Sequence, residues 1–322
     1  MYKTINPANG QVLAEYPQQS NEELNQILEA ANQAFLQWRQ TPFAQRATHL
    51  RSAAQLLRER AGEYGALLTA EMGKIKREAE AEVKKCAMVF DYYAEQGAAL
   101  LADEALEAGF AKSYYRYEPM GPILAVMPWN FPFWQVMRFV APNLMGGNAC
   151  LLKHAPNVFG TALAIERLLL DAGFPPNLMR SLLIEPNQVA LALENPRVKA
   201  VTLTGSERAG MAIASKAGQE LKKAVMELGG SDPFIVLEDA DLNQSCQTSV
   251  VARCFNAGQV CISAKRFIVA ERLYDQFLER HKTIMEGLKV GDPTNPATDI
   301  GPMARADLMR ELHQQVLQSV QD

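Results

Sequence analysis

From residue 122 onward, short apolar runs alternate with stretches of helical periodicity. This alternation constrains the fold more than any other feature of the chain. Residues 122–127 (PILAVM), 149–153 (ACLLK), 180–184 (RSLLI) and 199–204 (KAVTLT) read as strands buried on both faces. Helical patterns lie between them, such as 159–172, which ends at Gly173 before Pro175 and Pro176. Strands separated by helices imply a parallel α/β sheet with helices on its faces. A second group follows: a strand at 233–237 (PFIVL), a helix from Leu242, a strand at 266–270 (RFIVA) and a helix over 274–288. The two groups meet around Glu227-Leu228-Gly229-Gly230. The expected division is therefore a Rossmann-like domain over 1–228 and part of an α/β catalytic domain over 229–322. A length of 322 residues fits about two domains at roughly 150 residues each.

The first hundred residues are helical after a short extended start. Ser20 and Glu23 form a capping-box pair ahead of Leu24, Ile27, Leu28, Ala31, Phe35 and Trp38. Thr41 and Pro42 suit the N-cap and first turn of a second helix running through Leu50, Leu57 and Leu68 to Gly73. A third helix carries Val83, Ala87, Phe90 and Ala94. Residues 114–118 are β-prone without being core-like, which suggests a projecting strand within 110–121. The final segment, 306–322, places Leu308, Leu312, Val316 and Val320 four apart, with no capping Gly or following Pro.

Composition removes several function classes. Apolar residues are 48% and charged residues 21%, which disfavours disorder and a disulfide scaffold. The net charge of −4 argues against a nucleic-acid or anionic-membrane surface. No apolar run is long enough to span a bilayer, and MYKTINPANG lacks the basic-then-apolar pattern of a secretory signal. The five cysteines include no C-x-x-C pair, so neither a zinc site nor a disulfide framework is indicated. A cytoplasmic protein with reduced thiols and no metal is expected. Four thiols suit small buried positions; Cys261, in the polar segment FNAGQVCISAKR, suits partial exposure.

Several segments carry chemistry. Leu203-Thr204-Gly205-Ser206 ends a strand and opens a helix. It is either an anion site or an ordinary turn with Ser206 as N-cap. Pro128-Trp129-Asn130-Phe131-Pro132 follows the first parallel strand, at the carboxyl end where ligands bind in such sheets. Asn130 is then an oxyanion donor, or the loop is structural and anchored by Trp129 and Phe131. Glu227 sits beside Gly229-Gly230, which leaves room for close approach. It is either a general base or a solvated carboxylate.

Together PWNFP at 128–132, Lys153 in LLKHAPN, TGS at 204–206, ELGG at 227–230 and FNAGQVC at 255–261 stand in the order and spacing of the aldehyde dehydrogenase superfamily. The resemblance covers essentially the whole chain. Its nearest likeness is to bacterial succinate-semialdehyde dehydrogenases, through MPWNFPFWQVMR and LLKHAPN. It implies NAD(P)-dependent oxidation of a small aldehyde to the acid. Cys261 is the implied nucleophile, and Asn130 with the Cys261 N–H the oxyanion hole. Glu227 is the base that activates water against a thioester.

The resemblance also implies cofactor contacts from Met127, Pro128, Trp129, Lys153, Thr204, Gly205, Ser206 and Leu228. Pro156 stands where many NAD-preferring members carry a ribose-binding Glu, which leaves NADP open as well as NAD. Arg138 matches an arginine that grips the substrate carboxylate. Phe255 replaces a second such arginine. Release of the acyl group to a thiol such as coenzyme A is disfavoured by the retained Glu227.

The family's E-x-F-G-P motif has no match in residues 262–322. The resemblance therefore implies a C-terminally truncated chain with an incomplete catalytic domain. The homo-oligomer expected of the full-length family is doubtful for it. The alternative function is an impaired fragment retaining at most nucleotide binding.

Overall fold

The computed structural model describes residues 1–321. The chain opens with an antiparallel hairpin, β1 (Tyr2–Ile5) against β2 (Val12–Tyr16). Helix α1 (Asn21–Trp38) starts at the expected capping box. The Glu23 N–H donates to Ser20 Oγ at 3.1 Å, and the Ser20 N–H donates to Glu23 Oε2 at 2.7 Å. Such a cap is worth about 1 kcal/mol. Its stripe from Leu24 to Trp38 is buried as the spacing predicted.

The single helix expected over 41–73 is two helices, α2 (Phe43–Glu59) and α3 (Ala61–Met72). They break at Arg60, whose φ/ψ of −101°/16° leaves the helical region. The reason is tertiary: Arg60 Nη1 donates to Asp171 Oδ2 at 2.6 Å and to the Tyr64 hydroxyl at 3.3 Å. The expected Thr41 cap is also displaced. Pro42 takes the N-cap position in extended backbone, and no side chain caps the helix. Gly73 ends α3 at φ 79°, where a Cβ would meet Pro302 Cγ at 2.8 Å. Helix α4 (Lys76–Leu100) then buries Ala79, Val83, Ala87, Phe90 and Ala94.

A small arm follows, in which β3 (Glu104–Ala105) pairs with β4 (Tyr114–Tyr115). The strand expected over 114–118 is cut to Tyr114–Tyr115 because β3 supplies only two partners. The arm is exposed.

The alternating region forms the sheet it predicted. In chain order come β5 (Pro122–Met127), α5 (Trp134–Met145), β6 (Ala149–His154), α6 (Phe159–Asp171), β7 (Met179–Ser181), α7 (Pro186–Glu194), β8 (Ala200–Thr204), α8 (Glu207–Gln219) and β9 (Lys223–Glu227). The strands are all parallel, in the order β7-β6-β5-β8-β9. β7 is shorter than the expected 180–184, and β8 begins one residue later than 199. The chain steps outward from β5 to β6 and β7, then returns to β8 on the other side of β5. The carboxyl ends of β5 and β8 therefore flank a switch point, where a crevice opens.

A second sheet has two parallel strands, β10 (Pro233–Val236) and β11 (Arg266–Val269). α9 (Leu242–Cys254) and α10 (Tyr274–Glu286) accompany it, around a core of Val236, Cys246 and Phe277. Ile235 and Ile268, at facing positions of the ladder, are 61% and 51% exposed. The last helix, α11 (Ala306–Gln321), buries none of its residues. Among the described residues no helix is long and apolar enough to cross a membrane. No cluster of His, Cys, Asp and Glu among them could hold a metal ion.

Candidate active site

The loop after β5 is held from below by buried polar groups. His154, at the end of β6, is fully buried, and this pushes its imidazole down to about 4, so the ring is neutral. Its ring nitrogens are set among main-chain groups: Nδ1 lies 2.9 Å from the Ala155 nitrogen and 3.2 Å from the Met127 carbonyl, and Nε2 lies 3.0 Å from the Pro132 carbonyl. On the other side Glu82 Oε1 accepts from the Phe133 and Trp134 N–H groups at 2.9 and 3.0 Å. These are orphan donors of the first turn of α5. Glu82 Oε2 pairs with Lys74, whose Nζ donates to the Asn130 carbonyl at 3.0 Å.

Cys261 follows a turn that is over-determined in the same way. Asn256 and Ala257 both have φ 53°, in the left-handed region that costs a non-glycine residue of order 1–3 kcal/mol. The Asn256 N–H donates to Glu78 Oε2 at 2.9 Å, and its Nδ2 donates to the Asn130 carbonyl at 2.8 Å. Gln259 Nε2 donates to the Asn256 carbonyl at 3.0 Å, and its Oε1 accepts from the Ala304 N–H at 3.0 Å. Asn130 Nδ2 donates to the Gln259 carbonyl at 3.0 Å, which ties the two loops together. Asn130 Oδ1 is buried without a partner.

Both loops line a cavity of about 350 Å³, together with Trp129, Glu227, Leu228 and Leu308 of α11. Cys261, Asn130 and Glu227 thus converge on one space. Cys261 is partly exposed, as its polar surroundings suggested. Cys254, expected to be buried, is also partly exposed, because α9 ends there at the rim of the turn; the burial it retains pushes its thiol up.

Glu227 ends β9, and its side chain is 58% exposed. Arg138 Nη2 lies 3.9 Å from Glu227 Oε2 and 3.5 Å from Thr204 Oγ1. Arg138 lines an adjoining groove rather than the Cys261 cavity; Glu227 and Thr204 line both.

The remaining expected residues lie around the switch point. Pro128, Thr204 and Gly205 line the cavity. Met127 is buried in the core beneath it. Ser206 caps α8 by accepting from the Ala209 N–H at 3.3 Å, which leaves its own hydroxyl proton to donate. Lys153 is buried at the end of β6, and desolvation lowers its ammonium while Glu185 opposes the shift. Pro156 opens the turn before α6. That helix is capped by buried Glu71, whose oxygens accept from the Gly160 N–H at 2.8 Å and the Thr161 N–H and Oγ1 at 2.9 and 2.7 Å.

Sequence reasoning missed Lys74, Glu78, Glu82 and Glu71. One signal was available. Glu82 falls on the apolar stripe of α4, between Ala79 and Cys86, and a carboxylate there requires a buried partner.

A thiol, a carboxamide and a carboxylate around one cavity beside the switch point of a parallel sheet are the groups of an α/β enzyme that works through a cysteine. The chain matches the aldehyde dehydrogenase family over residues 1–322 and belongs to it. A probable succinate-semialdehyde dehydrogenase [NADP(+)] of Synechocystis sp. is 49% identical over 317 residues, covering 98% of this chain and 70% of that protein. Succinate-semialdehyde dehydrogenase [NADP(+)] 1 of Mycobacterium tuberculosis is 48% identical, covering 97% and 69%. The crystal structure of succinic semialdehyde dehydrogenase from Streptococcus pyogenes with NADP+ superposes with a TM-score of 0.96 at 39% identity, over 98% of this chain and 70% of that one. A lactaldehyde dehydrogenase reaches 0.94 at 32% identity, over 99% and 68%. The shared fold therefore does not choose the aldehyde.

Proposed function

We propose that this chain oxidises succinate semialdehyde, or a similar ω-carboxy aldehyde, to the acid through a thioester on Cys261. The observation that carries it is the convergence of Cys261, Asn130 and Glu227 on one cavity at the switch point. The identity to the two NADP(+) succinate-semialdehyde dehydrogenases supports the substrate class and favours NADP over NAD.

The residues fit a dinucleotide. The Ser206 hydroxyl proton and the α8 N-terminus suit a pyrophosphate, and Lys153 suits a ribose. Pro156 brings no carboxylate against a 2′-phosphate. The bound nicotinamide supplies the hydride acceptor. Cys261 Sγ attacks the aldehyde carbon, and the oxygen becomes an oxyanion. The Asn130 amide has two protons and gives one to the Gln259 carbonyl, so the second is free for the oxyanion, beside the Cys261 N–H. Hydride departure leaves the thioester. Glu227 takes a proton from water, which adds to the thioester carbon and frees the Sγ. Arg138, in the groove next to Glu227, is the proposed partner of the substrate carboxylate. The functional division falls at Leu228–Gly229, with 1–228 binding nucleotide and 229–322 supplying the nucleophile.

A second function, nucleotide binding with impaired turnover, is favoured by the exposed ladder positions Ile235 and Ile268 beside the segment that carries Cys261. NADPH formation with succinate semialdehyde tests the first. Cys261→Ser is expected to lower it at least ~10³-fold. Equal turnover by both proteins would remove the nucleophile, and NADP binding by calorimetry without any turnover would select the second.

A further inference from the structure

Lys74, Glu78 and Glu82 come from one short stretch, yet they reach both loops of the cavity. Lys74 Nζ donates to the Asn130 carbonyl at 3.0 Å and lies 3.9 Å from the centroid of the Phe131 ring. Glu82 neutralises Lys74 and accepts both N–H groups that follow the loop. Glu78 accepts the N–H of Asn256, whose amide donates to that same Asn130 carbonyl. The Asn130 carbonyl is thus clamped from two sides, one by the stretch itself and one through the nucleophile's turn.

The Lys74 and Glu82 side chains are 0% and 3% exposed. Burying such a pair costs several kcal/mol per ion in desolvation, and apolar residues of similar volume often stabilise a fold as well or better. Packing therefore gives no reason for charges at this place. The backbone groups they meet do: a carbonyl needs a donor, and two consecutive N–H groups at a helix start need an acceptor.

We propose that Lys74 and Glu82 are positioning residues that aim the Asn130 carboxamide at the oxyanion, and that Glu78, through Asn256, holds it in register with Cys261. This rests on Cys261 as nucleophile and Asn130 as oxyanion donor. The carboxamide hangs from the residue whose carbonyl is clamped, so a loosened carbonyl tilts the amide. A displacement of about 1 Å costs on the order of 10²-fold in rate.

Two reactions of Cys261 in the 322-residue chain separate positioning from folding, and neither needs a cofactor. Acylation by p-nitrophenyl acetate forms an S–C bond through a tetrahedral oxyanion and releases p-nitrophenolate. Alkylation by iodoacetamide displaces iodide at a saturated carbon and forms no oxyanion. Both rates are corrected with Cys261→Ser. In the double variant Lys74→Met/Glu82→Gln, acylation should fall ~30-fold while alkylation stays within about twofold. Lys74→Arg, which keeps a charged donor, should recover most of the acylation rate. Glu78→Ala, at a less buried position, should show the same selective loss at ~3-fold or more, and it carries the test if the double variant does not fold.

Asn130→Ala is the reference. If it lowers neither rate, Asn130 is not the oxyanion donor and the inference falls with it. If it lowers acylation selectively while the Lys74/Glu82 and Glu78 variants do not, the inference alone fails. Equal loss of both rates in the double variant reduces the pair to a structural role and also overturns it.

Discussion

At the scale of single residues, the buried titratable groups make opposed contributions to stability. Burial raises Glu71 to about 7, with its hydrogen bonds opposing, so the native state holds a proton that the unfolded chain loses at its ordinary value near 4.5. Its contribution is present below about 4.5 and lost as pH rises through 7. His154 runs the other way. Its folded value of about 4 lies below the ordinary 6.5, so its contribution is present above 6.5 and lost as pH falls through 4. The two slopes offset each other over roughly pH 4.5–6.5. Urea midpoints measured from pH 4 to 7 should therefore be flatter for the natural chain than for either variant. Glu71→Gln should steepen the rise with pH, and His154→Gln should turn it into a fall. The same sign of change in both variants would overturn the linkage assigned to one of the two groups.

At the scale of elements, α4 is the member that links the main core to both loops of the cavity. It packs Phe90, Val83 and Ala87, all fully buried, into the main core, and it carries Glu78 and Glu82. Phe90→Ala should cost about 3–5 kcal/mol by leaving a cavity, read as a drop in the urea midpoint at unchanged slope. A change under about 1 kcal/mol would mean that α4 is not anchored by this residue. The elements also differ in how much of them the sequence disclosed. α1 was legible because its signals are local: Ser20 meets Glu23 three residues on, and the apolar stripe repeats at the helical period. β5 and β6 were legible as apolar runs. The break at Arg60 was not, since its cause is Asp171, 111 residues away. Thr41 failed as a cap because the extended Pro42 occupies that position.

At the scale of the whole molecule, the larger sheet is covered by helices except at its exposed edge strand β9, and the smaller is open on a face. Two parallel strands with exposed Ile235 and Ile268 present apolar surface and free strand edges, and α11 buries none of its residues. The chain should self-associate as its concentration rises, and Ile235→Lys/Ile268→Glu should restore a concentration-independent mass by analytical ultracentrifugation. Identical behaviour of both proteins would place the association elsewhere. By itself the sequence determined the parallel sheet, the helices with local caps, the family and the residues proposed for its chemistry. Each of these is written in short-range periodicity or in motifs of a few adjacent residues. Only the tertiary structure decided that Lys74, Glu78, Glu82 and His154 brace the loops bearing Asn130 and Cys261. It also placed Arg138 in the neighbouring groove and divided the helix at Arg60. Those contacts join positions far apart in the chain, and the strength of a buried charge or hydrogen bond depends on the water that folding removes.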